Sequence, residues 1–360
     1  MKLFYSADRR TWFGIARLLL AGAFGGLIFY LLHLPLPWML GSLAGALLVV
    51  TLTAVPIARP RKLVDLSRAI LGVAIGAAFT PALLKEAHLY LFSLVLLPPI
   101  IALGSWAGMR YFERFAGFDR RTAFFSSLPG GLVEMTLISE ACGADTRRVT
   151  LIHTTRILLI VYTVPFAIHH LGRIDLSGRG VATDIITMMP IDQALMLCAA
   201  ALTGWWLMWR MRLPGASIIG PMLLSAILYA SGLATWRLPS QLINGAQWIL
   251  GASIACAFVN TGLREAAHAV AMTLGYFALL ISLAMVGALA AHHITGVPLV
   301  ATLLAFIPGG QAEMNVIALT VGIAIPYVAL HHVTRMFLVM TVAPVLSSRL
   351  FGIAVGKNRK

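Results

Sequence analysis

Apolar and polar positions divide the 360-residue chain into twelve apolar segments, six in each half, joined by short polar stretches rich in arginine. In the first half the segments cover 12–33, 37–55, 66–84, 88–109, 120–142 and 148–171. In the second they cover 190–209, 214–232, 242–261, 268–291, 298–321 and 326–350. Most approach the roughly 20 residues a helix needs to cross a bilayer. No run alternates polar and apolar positions as a strand would, and helices satisfy their own backbone groups in lipid. The pattern therefore predicts an all-α polytopic membrane protein.

Sliding the chain by 179 residues brings its halves into register. Pro129-Gly130-Gly131 falls on Pro308-Gly309-Gly310, Glu134-Met135 on Glu313-Met314, and His153, Thr155 and Arg156 on His332, Thr334 and Arg335. Pro35 meets Pro214, Leu71-Gly72 meets Leu250-Gly251, and Glu86-Ala87 meets Glu265-Ala266. This predicts one repeat at 1–171, a polar linker at 172–189 with Arg173, Asp175, Arg179 and Asp184, a second repeat at 190–350, and a basic tail at 351–360. Residues 1–33 superficially resemble a signal peptide. Their counterpart near 190–209, and the lack of a small-residue cleavage site, predict a retained first helix.

Charge then bears on the number of crossings. If the fifth segment of each half enters and leaves on one side, the cytoplasmic face receives 21 of the lysines and arginines, and the outer face receives only Lys85, Arg173, Arg179 and Arg237. That agrees better with the positive-inside tendency than six crossings per half. Matched joints also carry unequal loads: 110–121 holds Arg110, Arg114, Arg120 and Arg121, while 289–300 holds no positive residue. The expectation is two inverted repeats of five or six apolar segments each, with broken or re-entrant helices at the Pro-Gly-Gly motifs.

Composition fits this picture. The chain is 59% hydrophobic and 11% charged, against roughly 25% charged in a soluble domain. A net charge of +14 is read as topogenic, so nucleic acid is not an expected partner. Cys142, Cys198 and Cys256 show no metal-ligand spacing, and no metal, cofactor or enzymatic activity is expected. His169-His170 and His292-His293 are expected at the membrane interface. Pro98-Pro99 is expected to kink the fourth segment.

The candidate chemistry lies at the duplicated motifs. Proline removes a helix donor, and two following glycines weaken the helix further, so Pro129, Gly130, Gly131, Pro308, Gly309 and Gly310 predict unwound backbone. Each break starts a new half-helix whose positive end attracts anions. Glu134 and Glu313 lie in those first turns, where a capping role competes with binding or releasing a coupling ion, a role also expected of His153 and His332 as groups that titrate near neutral pH. His153 and Arg156 share a helical face, as do His332 and Arg335. The arginines either attract a solute or neutralise the glutamates and lock two helices together. Thr155 and Thr334 complete the set.

With these residues in view, the chain resembles the AbrB-type integral membrane proteins, a duplicated-domain family whose labels include ammonia monooxygenase and AbrB family regulator. The resemblance rests on Leu128-Pro-Gly-Gly-Leu-Val-Glu-Met135, Ile307-Pro-Gly-Gly-Gln-Ala-Glu-Met314 and the two His-x-Thr-Arg segments. More distantly, the broken helices look like those of bile-acid symporters and cation/proton antiporters. That likeness implies inverted repeats and an ion-coupled transporter of the inner membrane for a small anionic or zwitterionic solute, with H+ or Na+ as partner ion. A ligand sensor acting indirectly on gene expression is the other expectation, and a homo-oligomer is allowed by either.

Overall fold

The computed structural model describes residues 9–53, 57, 59–80, 90–177, 189–259 and 261–352. Lys2, Lys85, the Glu86-Ala87 pair, Arg179, Asp184 and the tail beyond residue 352 lie outside the described residues. Among the described residues there is no strand. The first half comprises α1 (Arg9–Leu31), α2 (Ser42–Leu52, preceded by a π turn at Pro37–Gly41), α3 (Arg61–Gly76), α4 (Leu97–Phe115), α5 (Arg120–Ser127), α6 (Leu132–Ala141) and α7 (Thr146–His170). The second comprises α8 (Ile191–Arg210), α9 (Ala216–Ala230), α10 (Ser240–Ala255, followed by a 3-10 turn at Cys256–Phe258), α11 (Leu263–Thr295), α12 (Leu299–Phe306), α13 (Gln311–Val321) and α14 (Ile325–Phe351).

Six of these helices are long and apolar enough to cross a bilayer: α1, the span Tyr90–Phe115 that contains α4, α7, α8, α11 and α14. Their outer faces expose large apolar side chains such as Trp12, Phe24, Leu202 and Trp206, which suits lipid rather than water. The chain is an all-α multi-pass membrane protein. Pro98-Pro99 falls at the first turn of α4, after a turn at 95–96 that interrupts the span. Proline is well tolerated there because its missing N–H would be unpaired anyway.

The broken segments turn back on themselves. The backbone N–H of Asp145 donates to Thr122 Oγ1 at 2.9 Å, and Arg121 Nη1 donates to the carbonyl of Cys142 at 3.4 Å. In one continuous helix Arg121 and Cys142 would stand about 32 Å apart. Thus α5 and α6 form a hairpin whose two open ends share one face, with Pro129-Gly130-Gly131 at the tip. A second contact bears on the crossing count. The N–H of Leu36 donates to Leu176 O at 2.8 Å, so the joints after α1 and after α7 lie together. A chain that leaves and returns to one place in this way makes an even number of crossings between those joints.

Directions reverse between halves. α7 begins at the face where Arg147 pairs with Glu265 and ends near the Leu36–Leu176 joint. Its counterpart α14 ends where the Phe351 ring meets Phe124 and Arg121, at the first of those faces. The two helices therefore run oppositely.

Glycines let the halves interlock. A Cβ on Gly25 would collide with the Gly41 backbone, and one on Gly204 with the Gly220 backbone. Across the halves, Gly72 approaches Ile218 O and Gly251 approaches Met39 O. Each contact has its partner 179 residues away, as small residues permit close helix packing in lipid.

Candidate functional site

The tip of each hairpin leaves carbonyls at the end of its first arm without helical partners, a costly condition in lipid. The His-x-Thr-Arg segments of α7 and α14 satisfy them. His153 Nε2 bonds Phe125 O at 2.8 Å, and Arg156 Nη1 donates to Leu128 O at 3.1 Å. In the second half His332 Nε2 bonds Leu304 O at 2.9 Å, and Arg335 donates to Ile307 O at 2.8 Å and Gly309 O at 3.2 Å. The three-residue spacing of His and Arg on one helix thus matches carbonyls three residues apart on the neighbouring arm.

Each arginine also donates through Nη2 to Nδ1 of its histidine, at 3.2 Å in the first half and as a short contact from Arg335 to His332 in the second. Nε2 meets a carbonyl and must carry the proton, so Nδ1 is the acceptor. That assigns one neutral tautomer to both rings. A second ring proton would set two donors against each other. The histidines therefore act as fixed struts between arginine and backbone.

The remaining motif residues cover the glycines. A Cβ on Gly130 would strike the Met135 side chain at 2.6–2.8 Å, and one on Gly309 would meet Met314 at 2.8–2.9 Å. The carboxylates of Glu134 and Glu313 fold back over Gly131 and Gly310, which are the N-caps of α6 and α13. This is the reach of a third-position glutamate in a capping box. Glu313 is buried and Glu134 half-buried. Neither forms an ion pair with Arg156 or Arg335, so the expected Glu–Arg lock between helices is absent among the described residues. Thr155 Oγ1 is buried without a partner, while Thr334 is half-buried.

Pro129 and Pro308 line one narrow cavity of about 20 Å³, room for about one water molecule, together with Arg335, Tyr276, Ser105 and Ser127. The two hairpin tips therefore meet. Arg156 and Arg335 lie within each other's electrostatic field, and both are almost wholly buried. Two cations without paired carboxylates in a low-dielectric setting favour an anionic guest.

Repeat matching missed several residues here. Tyr276, on α11, closes on Ser127 O beside the Arg156 guanidinium. Its counterpart is Leu97, so a search for identities across 179 residues passes over it. Arg59 lies within electrostatic reach of Glu313 but comes from a joint whose charge looks merely topogenic. His169 Nδ1 meets Ile174 O at 3.1 Å and His292 Nδ1 meets Val297 O at 2.7 Å, both closing helix ends. Among the described residues, no three His, Cys, Asp or Glu side chains gather as metal ligands would.

Comparison with known proteins places this arrangement. "Uncharacterized protein YhjN" of Bacillus subtilis (strain 168) is 27% identical, with 89% of each chain covered. "Putative regulator AbrB" of Escherichia coli (strain K12) is 23% identical over 89% of this chain and 91% of its own. The family described as transition state regulatory protein AbrB matches residues 38–351, a stretch holding both hairpins and both His-x-Thr-Arg segments, and the chain belongs to that family.

Proposed function

We propose that this protein is a secondary transporter of the cytoplasmic membrane, moving a small anionic or zwitterionic organic solute coupled to H+ or Na+. The observation that carries this reading is the pair of buried guanidiniums, Arg156 and Arg335, in each other's field beside a cavity bounded by both Pro-Gly-Gly tips. A charged residue at membrane depth costs about 2.5–3.5 kcal/mol on insertion scales, and such residues usually mark a pathway. Pro129, Gly130, Gly131, Pro308, Gly309 and Gly310 interrupt the helices at that point. Arg156 and Arg335 hold the tips and supply positive potential, with His153 and His332 fixing their orientation. Glu134 and Glu313 carry the coupling ion, and Thr155 and Thr334 offer hydroxyls. No step makes or breaks a covalent bond, so the protein is not an enzyme in this reading.

The test uses purified protein in liposomes, with labelled mono- and dicarboxylates and amino acids as probes under imposed pH or Na+ gradients. Gradient-dependent uptake of at least one probe, lost in Glu134→Gln/Glu313→Gln, is expected. Unchanged flux in that double variant would remove the carboxylates from the mechanism. The second reading, a ligand sensor that acts on gene expression through a partner, is favoured by the name of the Escherichia coli relative. A stoichiometric soluble partner recovered from membranes, with none of the probes moved, would select it.

A further inference from the structure

The second arm of each hairpin faces the first turns of the following helix, and the two wedges so formed are related by the 179-residue repeat. Their packing differs sharply. In the first half the wedge is an open cleft of about 400 Å³, lined by Thr136, Thr146, Thr150, Thr261, Arg147 and Glu265. Arg147 and Glu265 pair at 2.6 Å and span the two walls. The other ion pairs among the described residues join residues three apart on one chain segment. This one alone among them connects α7 of the first half to α11 of the second.

In the second half the matching positions are shut. Thr136 corresponds to Asn315 and Thr150 to Ala329, both 0% exposed. Arg147 corresponds to Pro326, which is buried, so no equivalent ion pair can form. Asn315 has neither amide atom bonded, and Gln311 Nε2 is likewise buried without a partner. Each unsatisfied buried group costs on the order of 1–3 kcal/mol. Thr136, by contrast, is satisfied by Leu132 O at 2.7 Å and Thr150 Oγ1 at 3.0 Å. Buried amides without a protein partner in one half thus stand where the other half has hydroxyls paired with each other and with backbone.

We propose that the two wedges are alternating access routes to the cavity between the tips. The Thr136–Thr150 wedge is open in this conformation, on the arginine-rich face. The Gln311–Asn315 wedge is closed and opens to the opposite face when the first one shuts. The Arg147–Glu265 pair holds the open state. This rests on the transport reading above and adds the routes and the latch. A polar solute would reach Arg335 along threonine hydroxyls from one side and along carboxamides from the other.

Thiol accessibility tests it. In protein with Cys142, Cys198 and Cys256 replaced by alanine, Thr150→Cys and Ala329→Cys are exposed to an impermeant thiol reagent in sealed vesicles of each orientation. At rest, Thr150→Cys should react from the arginine-rich face at least tenfold faster than Ala329→Cys. Under an imposed pH or Na+ gradient, Ala329→Cys should become reactive from the opposite face. A short bifunctional thiol linker joining Arg147→Cys to Glu265→Cys should abolish that change. Reaction of both positions from the same face, or an unchanging pattern in vesicles that move a labelled carboxylate, would overturn the proposal while leaving transport intact. A pattern that exchanges while no carboxylate moves would support the wedges and remove transport. Hydrogen exchange of the unsubstituted protein provides a check free of folding effects: residues 132–151 should exchange faster than 311–330. Equal exchange would overturn the closed wedge.

Discussion

Arg335 reaches across from α14 to donate to the carbonyl of Ile307 at 2.8 Å, and Arg156 makes the same bond to Leu128 at 3.1 Å in the other half. The guanidinium thereby finishes the broken arm of a hairpin that the surrounding lipid could not solvate. It also leaves its positive charge beside the opposite tip.

Lysine cannot replace that fork. Arg335 bonds Ile307 O, Gly309 O and His332 from one planar group, whereas an ammonium is a point donor on a flexible stem. Arg335→Lys should leave at least one buried carbonyl unsatisfied, a loss of about 1–3 kcal/mol. A fluorescence melt of detergent-purified protein should show the midpoint falling by several degrees. Equal melting of variant and parent would contradict the bracing role.

The hairpin of the first half is also fixed at its open end. Asp119 accepts from the N–H groups of Arg121 and Thr122 at 3.1 and 3.3 Å, and Asp145 accepts from Arg148 N at 3.1 Å. Replacing either cap with alanine should cost about 1 kcal/mol. Chemical denaturation should report a similar loss for each and an additive loss for both, since the two caps serve different helices.

Two glycines in α10 should behave oppositely. Gly245 faces open space, and alanine there removes a helix penalty of up to about 1 kcal/mol. Gly251 lies against Met39 O, so a methyl group would force α10 away from α2. Melts should rise slightly for Gly245→Ala and fall clearly for Gly251→Ala. The reverse order would refute the packing described.

At the joint after α7, the Ser177 N–H bonds Asp175 at 2.8 Å and holds its carboxyl below the ordinary value of 3.8. A depressed carboxyl stabilises the fold above its unfolded pKa, and that contribution disappears as pH falls through the lower folded value. Asp175→Asn should therefore melt below the parent at pH 6 and alongside it near pH 2. A gap that persists in acid would show that the charge is not responsible.

How much of this could be read from the chain follows from the chemistry of each feature. The apolar helical character of the chain and both breaks were legible because long apolar runs and Pro-Gly-Gly leave a helix few options. The turning back of the fifth segment was less so. It showed only in the charge balance of the joints, and contacts such as Arg121 with Cys142 O decide it. The reversed directions of α7 and α14 rest on contacts such as Phe351 with Arg121. The partner of the arginines was not legible. Glu134 and Glu313 look like natural counter-ions, yet the glutamates fold onto their own glycines and the arginines take backbone carbonyls that no residue letter records.

The sequence by itself determined a multi-pass helical protein, a duplication, and the two points where its backbone must unwind. Those follow from local hydrophobicity and from the conformational limits of proline and glycine. Only the tertiary structure decided that the tips meet at one cavity, that Tyr276 joins them without a repeat counterpart, and that Thr136 and Thr150 line an open cleft while Asn315 and Ala329 are buried. Such relations arise from packing between residues far apart in the chain, where identical motifs meet different neighbours.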